Sequence, residues 1–311
     1  MLPGYFPKLK PMKALYFLLI MHLFSGCNPM DNLDMKEDDK GVVLQPVIIL
    51  NNRYFVAPGG KDSNPGTITQ PWASWQKAFS KAKAGDTVFI RGGTYYPGNE
   101  DEFGVYLSRR SGTFSRPVCI FNYPGETPVL DCSTITRSAG IAGILLDQCK
   151  YIHMKGLTIK GVRQNPDEDS NGISVENSNG IKFENCISHS NAGPGFFTYE
   201  SDTLYFINCD AYNNFDELTP GYSGGQADGF VISYAAEDAF TRLVGCRSWF
   251  NSDDGFDCWE NEGTVVFENC WSFNNGRGEG DGCGFKLGRT NGSPLPEPQR
   301  ILTRCMAFNN R

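Results

Sequence analysis

Five short segments of this chain align on a cysteine: NCISHSN, NCDAYNN, GCRSWFN, NCWSFNN and RCMAFNN, with Cys186, Cys209, Cys246, Cys270 and Cys305 in the shared column. Two residues on, the side chain is always small: Ser188, Ala211, Ser248, Ser272, Ala307. Three on stands a flat ring (His189, Tyr212, Trp249, Phe273, Phe308), and five on there is always asparagine (Asn191, Asn214, Asn251, Asn275, Asn310). KGLTIKG, with Leu157 in the cysteine column, reads as a degenerate earlier member. Stacked β-coils produce such columns, because each residue lies about 4.8 Å from its equivalent on the next strand. The expected fold is therefore all-β, a right-handed parallel β-helix. The cysteines become small buried hydrophobes in a ladder. Asparagine suits a left-handed bend and can hydrogen-bond along its column.

The cysteine spacings are 23, 37, 24 and 35 residues, so a coil near 23 carries added loops in alternate turns, at 215–226 and at 276–281 plus 290–299. Loops grafted on one side of a rigid solenoid are where a cleft wall would be built. Near the start, Arg53 to Val56 reads as a strand and residues 86–95 as strand then turn. Between them Trp75, Ala78, Phe79 and Ala82 form one helical face, with Ser74 placed to cap the helix and Gly85 to end it. Such a helix suits the N-terminal cap of a solenoid, whose first coil must be covered. The chain stops at Asn309-Asn310-Arg311, inside a repeat. The C-terminal end of the solenoid is expected to be incomplete.

Lys13 precedes an apolar run, residues 14–24, that leads into Ser25-Gly26-Cys27. This is the layout of a signal peptide over 1–26, too short to span a bilayer as a mature helix. A cysteine directly after Ser-Gly resembles a bacterial lipoprotein site, with Cys27 lipidated. Residues 27–50 read as an acidic tether and 51–311 as a catalytic β-helix domain. The expectation is an exported protein, an outer-membrane lipoprotein or a secreted one, touching a membrane only through that anchor and otherwise monomeric. A net charge of −7 argues against nucleic acid as a partner, and three histidines leave little for Ser-His or His-zinc chemistry. Ten cysteines remain without Cys27, an even number that invites disulfides in an exported protein. The ladder argues against pairing for at least five of them.

Three carboxylates within five residues mark the stretch NSDDGFDCW, 251–259. A second anchor, Gly followed by an apolar residue, recurs as Gly172-Ile173, Gly195-Phe196, Gly229-Phe230, Gly255-Phe256 and Gly284-Phe285. Aligned on it, Asp228 stacks beside Asp254, and Lys286 beside Asp257. If Phe256 and Cys258 point inward, Asp257 and Trp259 point outward; likewise Phe285 and Leu287 go in and Lys286 goes out. Asp254 and Asp257 share a face only if the chain bends at Asp254-Gly255, which glycine permits. An oxygen-rich cluster suits a hard cation such as Ca²⁺; a solvated acidic turn is the plainer alternative. For Lys286 the commoner fate is a simple salt bridge to Asp257.

QADGF (226–230), NSDDGFDCW (251–259) and GFKLG (284–288), in this order on a β-helix ladder, resemble the family 9 polysaccharide lyases, the pectate lyase type. The opening YFVAPGGKDSNPGT, PWASWQKAF and AGDTVFIRGGTYY also resembles the N-terminal cap of such proteins, so the resemblance runs from about Tyr54 to the end. It implies a Ca²⁺ held by Asp228, Asp253, Asp254 and Asp257, with Lys286 as Brønsted base, and further coils. It implies an acidic polysaccharide substrate, pectate (polygalacturonate) or a related polyuronate, cleaved by β-elimination. The chemistry agrees: the C5 proton of a 4-linked uronate is acidic only because it lies α to a carboxylate, and a cation near that carboxylate stabilises the developing charge. The base must be partly neutral, which a nearby cation favours and Asp257 opposes; an alkaline optimum follows. A cation also reconciles an acidic protein with an acidic polymer. Arg277 and Arg289, near Lys286 in the chain, are further candidates for substrate carboxylates. Two rival readings share the fold. One is a glycoside hydrolase using Asp253 and Asp254 as acid and base, although the Gly-His-Gly and Arg-x-Lys elements of β-helix polygalacturonases are missing. The other is a non-catalytic surface glycan-binding lipoprotein or a truncated, inactive lyase.

Overall fold

Each repeat makes three short strands separated by sharp bends, and left-handed residues supply the bends. Asn185, Asn208, Gly245, Asn269 and Arg304 have positive φ just before the cysteine column; Ser190, Asn213, Phe250, Asn274 and Asn309 do so just before the asparagine column. The computed structural model describes residues 52–98, 103–135, 142–164, 170–288 and 299–311. The leader, Cys27, the acidic tether and Arg289 lie outside the described residues.

Three parallel sheets result, each with one strand per coil. Sheet I has nine strands, from Arg53–Val56 to Arg300–Thr303; sheet II has eight, from Gly93–Tyr95 to Met306–Phe308; sheet III has seven, from Phe103–Ser108 to Phe285–Lys286. The chain visits them in the order I, II, III, which is the parallel β-helix expected from the columns. Inward positions stack in register. On sheet I they run Val88, Ile120, Met154, Phe183, Phe206, Leu243 and Phe267, all buried. Leu157 occupies the cysteine column and is fully buried, and the strand after it pairs with Ile187–His189, so the degenerate repeat is a true coil. The helix Trp75–Lys81 buries Trp75, Ala78 and Phe79, and Ser74 caps it by accepting from the Lys77 N–H. Its last turn closes at Ala82 rather than at Gly85.

The ladder cysteines Cys186, Cys209, Cys246, Cys270 and Cys305 are free thiols. Each donates to a backbone carbonyl near its bend, as Cys209 does to Ile207 at 3.5 Å and Cys246 to Phe206 at 3.4 Å. The asparagine column is a continuous hydrogen-bonded ladder. Asn191, Asn214, Asn251 and Asn275 each donate through Nδ2 to Oδ1 of the next member, at 3.1, 2.9, 3.0 and 3.0 Å. Each backbone N–H of the same residues donates to that Oδ1 as well. The ladder asparagines do not hold the left-handed bend; the residue before each of them does. Their role is to satisfy buried backbone donors at the corner, where each unmet group would cost about 1–3 kcal/mol. The ring column stacks on the outer face of sheet II, with His189–Tyr212 centroids at 4.6 Å and Tyr212–Trp249 at 4.5 Å.

Candidate active site

Stacked phenylalanines set the register of the site. Phe196, Phe230, Phe256 and Phe285 lie one above another inside sheet III, with centroids 4.8, 5.0 and 4.8 Å apart. With the rings held inside, the neighbouring residues Val231, Asp257 and Lys286 pair side by side on the outer face. Asp228 and Asp254 precede the anchor glycine in consecutive coils, and the Asp254 N–H donates to Asp228 Oδ1 at 2.7 Å. Both stacking expectations are met. Leu287 departs from the alternation: it was expected inside but is 41% exposed, because the strand ends at Lys286 and Gly288 turns the chain at φ 83°.

Gly255 does not have a positive φ, so its conformational freedom is not what the corner uses. A Cβ there would lie 2.0 Å from Ser272 Oγ and 2.7 Å from the Gly284 carbonyl oxygen. Gly229 meets Ser248 in the same way, and Gly284 meets Ala307. The glycine and small-residue columns are therefore complementary halves of one tight corner between sheets II and III. That corner brings Asp254 to the same side as Asp257.

Carboxylate oxygens of Asp228, Asp254 and Asp257 all lie within 4.8 Å of one another, and the three residues are buried. Two ligands at about 2.3–2.6 Å from one Ca²⁺ can be at most about 5 Å apart, so this set fits a hard cation. Asp257 Oδ1 has no hydrogen-bond partner, an orphaned buried acceptor of the kind a cation would satisfy. Asp253, the fourth expected ligand, is outside that group; its Oδ1 accepts from the Gly282 N–H at 3.2 Å, and it lines the same cleft.

Burial dominates the electrostatics of these acids. It pushes Asp228 well above the usual carboxylate range, with Asp257, Asp253 and Asp254 adding repulsion. Burial, then the neighbouring Asp254 charge, raises Asp253 to about 7. Burial raises Asp257 to about 6 despite the nearby Lys286 ammonium, which pulls it down. Lys286 Nζ lies 3.1 Å from Asp254, 3.3 Å from Asp257 and 3.1 Å from Asp281. Its burial favours the neutral amine, but Asp257 and Asp254, with Asp281, outweigh this and raise it above the normal lysine range. The Trp259 ring packs 5.3 Å from the same nitrogen.

Asp281 is a partner that column reasoning missed, since it sits on the inserted loop 276–281, outside every repeat position. Asp216 was missed too. It is buried at the root of the loop 215–226, where its Oδ1 accepts from the Ala227 N–H at 2.9 Å and Ser252 Oγ at 3.0 Å. That pins the loop against the aspartate-bearing coil. Tyr222 and Gln226 from this loop, and Asp281 from the other, then wall a cleft of about 780 Å³ over Asp228, Asp253, Asp257 and Lys286. Arg277 does not join it: its guanidinium lies over Phe215 at 5.8 Å and lines a separate groove beside Phe250 and Asn274.

The family model described as "Pel9A-like, right handed beta helix region" matches residues 54–311. The chain belongs to the Pel9A-like β-helix family. The match covers the same span as the resemblance read from Tyr54 onward. Pectate lyase PEL9 of Emericella nidulans is 28% identical over 302 residues, which cover 86% of this chain and 69% of that protein. The crystal structure of pectate lyase Pel9A superposes with a TM-score of 0.69 at 29% identity, covering 85% of this chain and 65% of the other. A rhamnogalacturonan lyase structure gives 0.70 at 27% identity, covering 84% and 69%. The chain thus spans 65–69% of the length of these three proteins, and 59% of pectate lyase L of Dickeya dadantii, to which it is 30% identical over 279 residues.

Proposed function

We propose that this protein is a calcium-dependent polysaccharide lyase acting on pectate or a related polyuronate, with Lys286 as the base. The observation that carries the reading is an amine held within 3.1–3.3 Å of Asp254 and Asp257, at the floor of a cleft open to a polymer. Lys286 Nζ takes the C5 proton of a 4-linked uronate. The electron pair forms the C4–C5 double bond, the C4–O4 bond breaks, and O4 leaves with the other fragment, taking a proton from water to become the hydroxyl at its new reducing end. The clustered Asp228, Asp254 and Asp257 would hold Ca²⁺, which when bound neutralises the substrate carboxylate and stabilises charge developing next to it. Cation-bound carboxylates also raise Lys286 less, so its burial works toward the neutral amine that a base must be. The names of the similar proteins support a lyase; the place of Lys286 in the cleft, beside the acids that would hold the cation, supports this residue as its base.

The test is ultraviolet absorbance of the conjugated unsaturated product during incubation with polygalacturonate and other polyuronates at alkaline pH, with Ca²⁺ or with chelator. A rise that needs Ca²⁺ is expected. A folded protein that gives no rise on any polyuronate would leave the glycan-binding reading as the better account. Export through the leader, with a lipid on Cys27, belongs to the same proposal. Metabolic fatty-acid labelling is expected to mark the wild type and not Cys27→Ala, and equal labelling of both would remove the anchor.

A further inference from the structure

We propose that the corner between sheets II and III, behind the loops that wall the cleft, is a second track for carboxylated polysaccharide, which holds the polymer without cutting it. The track lies outside the cleft and stands apart from the elimination. Two hollows of about 560 and 480 Å³ lie along this corner. They share the column of left-handed residues that follows the stacked rings: Ser190 and Asn213 line the first, and Phe250, Asn274 and Asn309 the second. Phe215 of the first hollow carries Arg277 of the second over its ring at 5.8 Å, which joins the two. The loop 215–226 therefore has two working sides. Tyr222 and Gln226 face the cleft, while Phe215 and Leu218 face the track.

Three arginines are spaced along the track: Arg163 in the first hollow, Arg277 and Arg311 in the second. Arg163 and Arg311 each follow a member of the corner ladder, which runs from the Val162 N–H through the asparagines to Asn310. They are thus five strand spacings apart, about 24 Å, with Arg277 between them. On the sheet faces Arg242 and Arg247 are neutralised by Glu268 and Asp210. The three corner arginines have no ion pair among the described residues. Arg311 donates to the Gly278 carbonyl at 2.6 Å, which fixes the side chain and leaves its charge uncompensated. Glu217 is the one acid among the described residues lining the first hollow, and none lines the second. The cleft is the reverse, with five acid side chains around one lysine. Guanidiniums set along a line can each take a carboxylate of a polymer by two parallel hydrogen bonds. Between them the exposed amides of Asn213 and Asn309 meet hydroxyls, and Phe250, 42% exposed, offers its ring to the C–H groups of a sugar. A chain held on the track and in the cleft together is bound at two points, which raises its effective concentration at the second.

The experiment measures calorimetric binding of polygalacturonate, and of the same polymer fully methyl-esterified, in the presence of chelator. Without a cation the cleft is an acidic surface, so binding under these conditions reports on the corner. Polygalacturonate is expected to bind at least tenfold more tightly than the ester, with an affinity that falls as salt is raised. The double variant Arg163→Ala, Arg277→Ala is expected to lose at least tenfold of that affinity. No binding in chelator, equal binding of the ester, or a folded double variant that binds like the wild type would overturn the track. Binding in chelator by a protein that turns over no polyuronate with Ca²⁺ would keep the track and overturn the elimination. Turnover with Ca²⁺ and no binding in chelator would do the reverse. The comparison of the two polymers on the wild type decides the matter even if the double variant fails to fold.

Discussion

Lys286→Ala is expected to lose about 10²–10⁴-fold in the rate of unsaturated product formation, the usual contribution of a positioned general base. The protein should keep its near-ultraviolet circular dichroism and its response to Ca²⁺, because the carboxylates are untouched. Lys286→Arg is the sharper variant. It keeps a cation beside Asp254, Asp257 and Asp281, so a purely structural role would be rescued. A guanidinium cannot give up its proton in this pH range, so a base would not be rescued. An arginine variant within tenfold of wild type would remove Lys286 from the chemistry and recast it as the salt bridge its neighbours suggest.

Calcium removal should have the second large effect, and its pH dependence has a definite sign. Burial lifts Asp253 to about 7 and Asp257 to about 6 in the folded protein, whereas an unfolded aspartate titrates near about 3.9. The folded state therefore holds protons that the unfolded chain has released. The stability these groups contribute is fully present below about pH 4 and is lost as pH rises through 6 to 7. Calcium-free protein should melt at progressively lower temperature across that window. Calcium replaces those protons, so the Tm gain on adding it should grow over the same range and its affinity should rise with pH. At a hundredfold excess over Kd the stabilisation is about 2.7 kcal/mol. Thermal melts with calcium and with chelator from pH 5 to 8 provide the check. Asp254→Asn and Asp257→Asn should abolish the shift. A Tm indifferent to calcium at pH 8 would sink the metal assignment.

What could be read from the residues before folding was whatever repeats. The cysteine, small-residue and asparagine columns prescribe which atoms lie on neighbouring strands, so the pairings Asp228 with Asp254 and Asp257 with Lys286 follow from alignment alone. Backbone conformation was read one position off, because in four of the five coils both the ladder asparagine and its left-handed neighbour are polar, and in three they are alike, as in Asn213-Asn214 and Asn274-Asn275; Phe250 is the exception. Gly255 was assigned to a bend for want of any view of Ser272 across the corner. Asp281, Tyr222 and Asp216 lie on insertions, where periodicity carries no information and only the packing of loop against coil places a side chain. Arg277 failed for the same reason: closeness to Lys286 in the chain says little when the two are separated by a corner and a loop.

Asp228, the pair Asp253-Asp254 with Asp257, and Lys286 come from three consecutive turns of the solenoid, each supplying a different part. Cutting out residues 230–255 would join Gly229 to Phe256 and leave the phenylalanine column in step. It would also delete Asp253 and Asp254 together and leave only Asp228 and Asp257 of the three clustered acids. A comparable excision between Ile144 and Ile173 would shorten the rod and leave the site's three turns as they are. The molecule therefore has a stretch whose length is free, on the side of the capping helix, and a stretch, 228–286, whose count of turns is fixed by its chemistry. A change in the number of coils is tolerable in the first and disabling in the second, although the scaffold itself treats every coil alike.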